Sequence, residues 1–539
     1  MEGCGGRSRP GLCGTEGGPR AGDGVSKRRT LQLSVFPPNI IRKADGGKCV
    51  SLRPLIPASG QGNTRASRIS RTTMKTYFTQ FFGQLRPNIA LAAPVMFGQA
   101  ANVFVGLVDN YMVAQIGGTE GQTALAAAAA ANAVFILVLL LGTGISCGMT
   151  PLISYRHAGN DRPGIRKVLE SGLAVNLTVG IVLAVSTYFA APLLQHPALG
   201  QTEAVGRLAC PYLRIVGFSL IPVMVFQSYK QLSDGMSDTR TGMIALVIAN
   251  LINVAANYAF IYGHWGAPAL GLEGAAWGTF ISRVCLVFII VAVLYARPAY
   301  RSFVRIGNPF GMASRSTMRK VLAIGFPTGL QMLFEVGLFS ACAILAGRFG
   351  ETALAAHQIV GQMTGFTYTF VSGLAVAATI RVSYYLGRGQ TDRLRLAASS
   401  LILTVLSIMA VFGVGYIVFR EAIPRFFIDT QQLVSMAAPL FVVAAGFQLF
   451  DGLQVVCQGA LRGLYDVKVP TVINAVGYWV IAFPLAVYLS VFRQMQTLGI
   501  WIGIAVGLVF CALLLTLRLY NRLRKMQTAG SPLSERPGC

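Results

Sequence analysis

Residues 124–142 read ALAAAAAANAVFILVLLLG. No charge interrupts them, and they match the roughly 20 apolar residues that a helix needs to cross a hydrocarbon core about 30 Å thick. A strand of a membrane barrel would instead alternate polar and apolar residues over about ten positions, and the unbroken run excludes it. The rest of the chain is of the same kind. Of 539 residues, 54% are hydrophobic and 12% charged, against about 25% charged in soluble domains. Twelve apolar segments follow one another, at 87–116, 123–154, 168–192, 207–229, 241–263, 272–296, 320–347, 352–380, 395–419, 433–461, 470–491 and 497–517. The composition and these segments predict an all-α polytopic membrane protein.

The loops set the expected orientation. With the N-terminus in the cytoplasm, Arg156, Arg162, Arg166, Lys167, Lys230, Arg240, Arg297, Arg301, Arg381, Arg388, Arg462 and the C-terminal RLYNRLRK fall on the cytoplasmic side. The opposite loops hold Arg207, Arg348, Arg420, Arg425 and Arg493. This asymmetry follows the positive-inside rule and places both termini in the cytoplasm. It also accounts for most of the formal charge of +25, so no nucleic-acid partner is expected. Residues 1–73 are rich in Gly, Ser, Pro and Arg without amphipathic period, the composition of a disordered segment. They read as a basic leader or, the reading favoured here, as sequence upstream of the true start at Met74. Six cysteines scattered singly through apolar segments read as small core residues, and the four histidines lack metal-ligand spacing.

Three acids stand out. Asp109, Glu335 and Asp451 each lie inside a long apolar stretch, where an ionisable side chain costs about 2.5–3.5 kcal/mol and persists only when it faces a polar interior and has a task. Cation handling is the chemistry they suggest. The chain also repeats itself. TALAA at Thr123 returns at Thr352, and Gly144, Ser154 and Tyr155 return as Gly373, Ser383 and Tyr384, all 229 residues on. Gly235 and Asp238 return as Gly463 and Asp466 at an offset of 228. Each half holds six helices, an even number, so the copies enter from the same side, the parallel repeat of secondary transporters whose substrate path runs between the halves. The expected fold is therefore twelve transmembrane helices in two six-helix pseudo-symmetric bundles. The expected divisions are 74–300 for the N-terminal lobe, 301–319 for a cytoplasmic linker, 320–520 for the C-terminal lobe and 521–539 for a cytoplasmic tail.

From Pro87 to Tyr520 the chain resembles the multidrug and toxic compound extrusion (MATE) family in its NorM-type branch. The resemblance is carried by PVMFGQAANVFVGLVDNYMV at Pro94–Val113, ALAAHQIV at Ala353–Val360 and FDGLQVVCQGALRGLYD at Phe450–Asp466. It implies a MATE-type fold and a cation-driven antiporter that exports cationic organic compounds by alternating access. It implies a N-lobe cation site from Asp109, the pair Asn253 and Asn257, the hydroxyl of Thr279 and the carbonyl of Ala275, with Pro94 as the bending proline of the first helix. An all-oxygen set suits Na⁺ and serves a proton relay equally, so the coupling ion stays open between Na⁺ and H⁺. Glu335 and Asp451 match the two acids of the C-terminal lobe. Counted from the cytoplasmic ends of their segments they lie about 22 and 15 Å deep, close enough to share one cavity. Some NorM-type members carry a tyrosine where this chain has Phe447, so a hydroxyl is missing there.

Duller readings stand beside these. Asp109 has a structural hydrogen bond as its alternative. Arg214 and Arg283 read as structural, His357 as a satisfied interhelical residue and Gln358 as an open question beside it. Phe334, Phe339, Phe366, Tyr368 and Phe370 read first as core, with a drug cavity as the second reading. A lipid-linked oligosaccharide flippase of the same superfamily would need a cationic lumen, and the acids oppose it. An intramembrane enzyme would need a nucleophile with its base or a metal constellation, and neither is visible. No P-loop and no cofactor is expected. The partners expected are cationic small molecules and the lipid of the inner (cytoplasmic) membrane, and the expected state is a monomer.

Overall fold

The computed structural model describes residues 81–196, 202–304 and 311–528. The basic leader and the start at Met74 lie outside the described residues. Among those described there is no strand, and twelve helices are long and apolar enough to cross a membrane. They are α1 Leu85–Ala114, α2 Glu120–Ala158, α3 Arg162–Gln195, α4 Glu203–Gly235, α5 Thr239–Tyr262 and α6 Leu272–Ala296 in the first half. The second half has α7 Arg315–Gly347, α8 Glu351–Gly387, α9 Thr391–Val418, α10 Gln431–Gly463, α11 Lys468–Phe492 and α12 Gln496–Gln527. Helices are the response of such a chain to lipid, which offers no partner for a backbone N–H or C=O.

Each helix overlaps one expected segment, and α6 has the expected bounds. Several helices outrun the apolar run at the end where Arg and Lys cluster. α7 starts at Arg315, α8 reaches Gly387 and α12 carries RLYNRLRK. A charge ends a hydropathy window without ending a helix, since Arg, Lys and Leu are good helix formers in water. Residues expected in the linker and the tail are thus partly helical. Prolines stand inside several helices, among them Pro94 in α1, Pro211 in α4, Pro327 in α7 and Pro439 in α10, each removing one backbone donor.

Helices α1–α6 and α7–α12 form the two bundles, with α5 packed on α6 and α1 in the first, and α10 on α8, α9 and α12 in the second. The bundles meet crosswise, α1 on α8 and α7 on α2. At these crossings stand the repeated glycines. A Cβ on Gly144 would lie 2.3 Å from Gly329 Cα, and one on Gly373 2.8 Å from Ala92 O, so backbone touches backbone at both. Polar contacts join the bundles at the same end. Buried Arg381 donates to Asn88 and Gln84, and Asn88 Nδ2 donates to Ser400 Oγ at 2.9 Å. Ser154 Oγ donates to Ile380 O at 2.8 Å and the Tyr465 hydroxyl to Pro151 O at 3.3 Å. This is the end where α1 begins and α12 finishes, here called the basic end.

The repeated loop acids brace the same end. Asp238 caps α5 by accepting from Thr241 N and pairs with Arg297 just past α6. Asp466 receives Arg518 at 2.8 Å and Arg522 at 2.7 Å from α12. In each half the acid before the fifth helix thereby ties down the end of the sixth. Burial, together with the neighbouring Asp238, pushes the Tyr300 phenol well up from its ordinary range, so Tyr300 stays a donor to that carboxylate (3.3 Å).

Candidate functional site between the bundles

A cavity of about 760 Å³ lies between the bundles and is lined from both, within the usual size of a small-molecule site. Pro94, Gln99 and Asn102 reach it from α1, Thr143 and Cys147 from α2, and Gln227, Lys230 and Gln231 from α4. Glu335 and Phe339 of α7, His357, Gln358 and Tyr368 of α8, and Phe447, Asp451, Gln458 and Arg462 of α10 complete it. The structure thus brings Glu335 and Asp451 to one cavity, within electrostatic reach of each other. Both are buried, at 9% and 3% exposure, and neither carboxylate accepts a hydrogen bond from any described residue. A buried acid without donors is expensive, and what these two face is the cavity.

The surroundings of the pair were only partly foreseen. Phe447 fills its place against Phe339 and Trp501, with ring centroids 6.2 and 6.0 Å apart. Tyr368 of α8 also lines the cavity and lies within electrostatic reach of both Glu335 and Asp451. Phe366 and Phe370 instead meet edge to face, and Phe370 packs at a tilt on Phe412. His357 is not the satisfied interhelical residue expected: it is buried beside Trp501 and its Nδ1 has no partner.

The other acid lies apart, beyond the cavity lining. Asp109 Oδ1 accepts from Asn257 Nδ2 at 2.7 Å. With its amide turned to satisfy both of its ends, Asn253 donates to the two carboxylate oxygens at 2.9 and 3.3 Å. The pair spaced four residues apart on α5 therefore grips one carboxylate, as one helical face should. The buried Asn257 Oδ1 has no donor. Thr279 offers its carbonyl to Ser282 Oγ while its hydroxyl bonds no described residue, and Ala275 sits in an apolar cluster. Ser282 is the residue that sequence reasoning missed here, and Arg283 was read from the sequence only as structural. Arg283 donates to Ser219 Oγ, lies 4.7 Å from the Phe135 ring and is within electrostatic reach of Asp109. An arginine inside an apolar segment was the available signal.

Two six-helix bundles related by a parallel repeat, with a cavity between them and acids inside it, define a membrane transporter of the secondary type. The MatE family model matches residues 94–259 and 327–488, one stretch in each bundle, with ends as far apart as the two copies of TALAA. The multidrug resistance protein MdtK of Edwardsiella ictaluri is 31% identical over 82% of this chain and 96% of its own length. Among solved structures, the eukaryotic MATE transporter AtDTX14 superposes with a TM-score of 0.73 at 17% identity, over 83% of this chain and 99% of its own. A multidrug resistance MATE family transporter of the MOP superfamily in an outward-facing conformation gives 0.73 at 20% identity, over 82% of this chain and 96% of its own. The chain belongs to the MatE family, and it is an integral membrane protein.

Proposed function

We propose that this protein is a secondary active multidrug efflux transporter that exports cationic organic compounds in exchange for Na⁺ or H⁺. The observation that carries this reading is the pair of bare carboxylates in the cavity. Glu335 and Asp451 have no donor of their own, so an organic cation or the coupling ion supplies the missing positive charge. Aromatic faces at Phe339, Tyr368 and Phe447 add the cation–π attraction that a flat cationic compound exploits. The multidrug name of the MdtK relative supports the same substrate breadth.

Asp109 is our candidate for gradient coupling. Two amides donate to it and a guanidinium is within reach. These donors suit a carboxylate that gains and loses a proton, while the orphan Asn257 Oδ1 is an acceptor suited to Na⁺. The basic end matches the cytoplasmic face by the positive-inside rule, which supports a reading with both termini inside, and the MdtK relative together with the twelve apolar helices supports the inner membrane. The close glycine crossings and the polar contacts between the bundles lie toward that end, which supports a conformation with the cavity closed toward the cytoplasm. A flippase for a lipid-linked oligosaccharide remains the second reading, opposed by two acids at mid-depth.

The test is dye uptake into everted vesicles with pH and Na⁺ gradients imposed separately. Uptake driven by one of the two supports the reading and names the ion. No gradient-driven movement of any cationic dye overturns it.

A further inference from the structure

We propose that the start of α7 carries a headgroup site for an anionic phospholipid of the leaflet at the basic end, with an acyl chain laid along the outer face of the helix. The site lies outside the cavity between the bundles and stands independently of the efflux reading.

A second cavity, of about 430 Å³, opens at the surface where α7 begins and is lined by Arg315, Ser316, Arg319, Lys320 and Ala323. Arg315 and Arg319 are exposed, and neither guanidinium forms an ion pair or a hydrogen bond with another described residue. The acids nearby are already taken. Glu170 of α3, which packs on α7, receives Arg166 Nε at 2.6 Å and the Met312 amide. Asp161, ahead of α3, receives Arg156 at 2.8 Å, and Asp466, ahead of α11, receives Arg518 and Arg522. The other helices packed on α7, namely α2, α8, α11 and α12, carry no acid at this end. Helix α7 also opens against its own dipole. Its first turn holds no acid and the Ser314 side chain makes no capping bond, so two arginines and a lysine crowd the end of the helix that favours anions. Basic pockets beside membrane helices are sites for anionic headgroups.

What lies below the pocket selects a lipid over a soluble anion. Arg315, Arg319, Leu322 and Phe326 fall on one face at helical spacing, and Leu322 is 39% and Phe326 49% exposed. Neither lines the cavity between the bundles. α7 meets that cavity with Met332, Glu335, Val336 and Phe339, about a third of a turn round the helix. Ile344, further along the outer face, is 76% exposed, so this is the face that lipid covers. Phe326 lies about 16 Å along the axis from Arg315, about the depth of one leaflet of a hydrocarbon core. A free phosphate would use the pocket alone, whereas a phospholipid uses the pocket and the apolar stripe together.

A fluorophore on Phe326→Cys, in the full chain freed of its other cysteines, reports what occupies the stripe. Its quenching is measured in proteoliposomes by phosphatidylglycerol and by phosphatidylcholine carrying the same brominated chains, which gives the ratio of their affinities. With the pocket intact the ratio is expected to favour phosphatidylglycerol at least about tenfold, from two or more basic side chains. Arg315→Gln and Arg319→Gln are each expected to lower it about fivefold, the ordinary worth of one such side chain near an anionic surface. Arg393→Gln, at the exposed start of α9 on the same end, is expected to leave it unchanged. Arg319→Gln carries the test alone if Arg315→Gln does not reach the membrane. An equal fall in Arg393→Gln overturns the site in favour of diffuse charge, and a ratio near one with the pocket intact overturns it outright. Loss of the preference on adding millimolar glycerol phosphate overturns the lipid in favour of a soluble anion.

Discussion

A carboxylate that no neighbour donates to is held in place only by the helix that carries it. Glu335 and Asp451 are in that condition, whereas Asp109 is gripped by two asparagines, and the contrast gives opposite stability effects for similar substitutions. Glu335→Gln and Asp451→Asn remove a buried charge without removing a hydrogen bond. They are expected to cut efflux of cationic dyes at least tenfold while leaving the melting temperature in detergent unchanged or higher, because the unpaired charge itself is the cost. Asp109→Asn turns an amide toward donors, so a loss of about 1–3 kcal/mol is expected, seen as a lower melting temperature together with loss of gradient dependence. Equal destabilisation by all three would mean that the cavity acids are structural. The acids were legible because a charge inside an apolar run has no bland neighbours. Arg462 was not, since α10 continues past its apolar run, nor was Gln458 within that run, since only packing against α8 and α12 decides which polar side chains of α10 meet the cavity. Tyr368 was hidden in the same way among aromatics of identical composition and different facing.

At the scale of the element, ion pairs at the basic end replace the packing that a short loop cannot supply. Asp466 is 8% exposed and holds two arginines of α12. Asp466→Asn is expected to cost on the order of 2 kcal/mol, less than for a fully buried pair because both arginines keep partial access to water. The measurement is hydrogen exchange over residues 518–527, which should speed up while the rest of α12 stays protected. Pro94 lacks an amide donor in a helix that borders the cavity. Pro94→Ala restores the ladder, and its expected phenotype is retained dye binding with slower turnover. A fall in affinity at unchanged turnover would remove its role as a hinge. The helices were readable to within a few residues from hydropathy, and their overruns were not, because backbone hydrogen bonding does not stop at the edge of the lipid. The breaks were also hidden: α2 pauses at Cys147 and Gly148, and α4 at Ser219.

Over the whole molecule the frame is repeated and the chemistry is not. Gly144 and Gly373 hold equivalent crossings, while Asp109 stands in one bundle and Glu335 with Asp451 in the other. Gly144→Leu or Gly373→Leu should therefore have similar effects, wedging the bundles apart at the basic end. A variant keeping only Cys147, which lines the cavity, reports this. It is expected to react with an impermeant maleimide from the face opposite the termini, and from the basic face once either leucine is present. The repeat was legible from TALAA and five further matched residues, but which copies touch was not, since a period states equivalence and is silent about contact. The contacts across the basic end also have a timetable. Asn88 sits in the first helix, and its partner Arg381 comes 293 residues later. At about 5–20 residues per second a ribosome reaches Arg381 roughly 15–60 seconds after Asn88. For that interval the first helix waits in the membrane with a polar side chain unanswered, and nascent chains stopped short of the eighth helix are the form in which this protein is most open to capture by quality control.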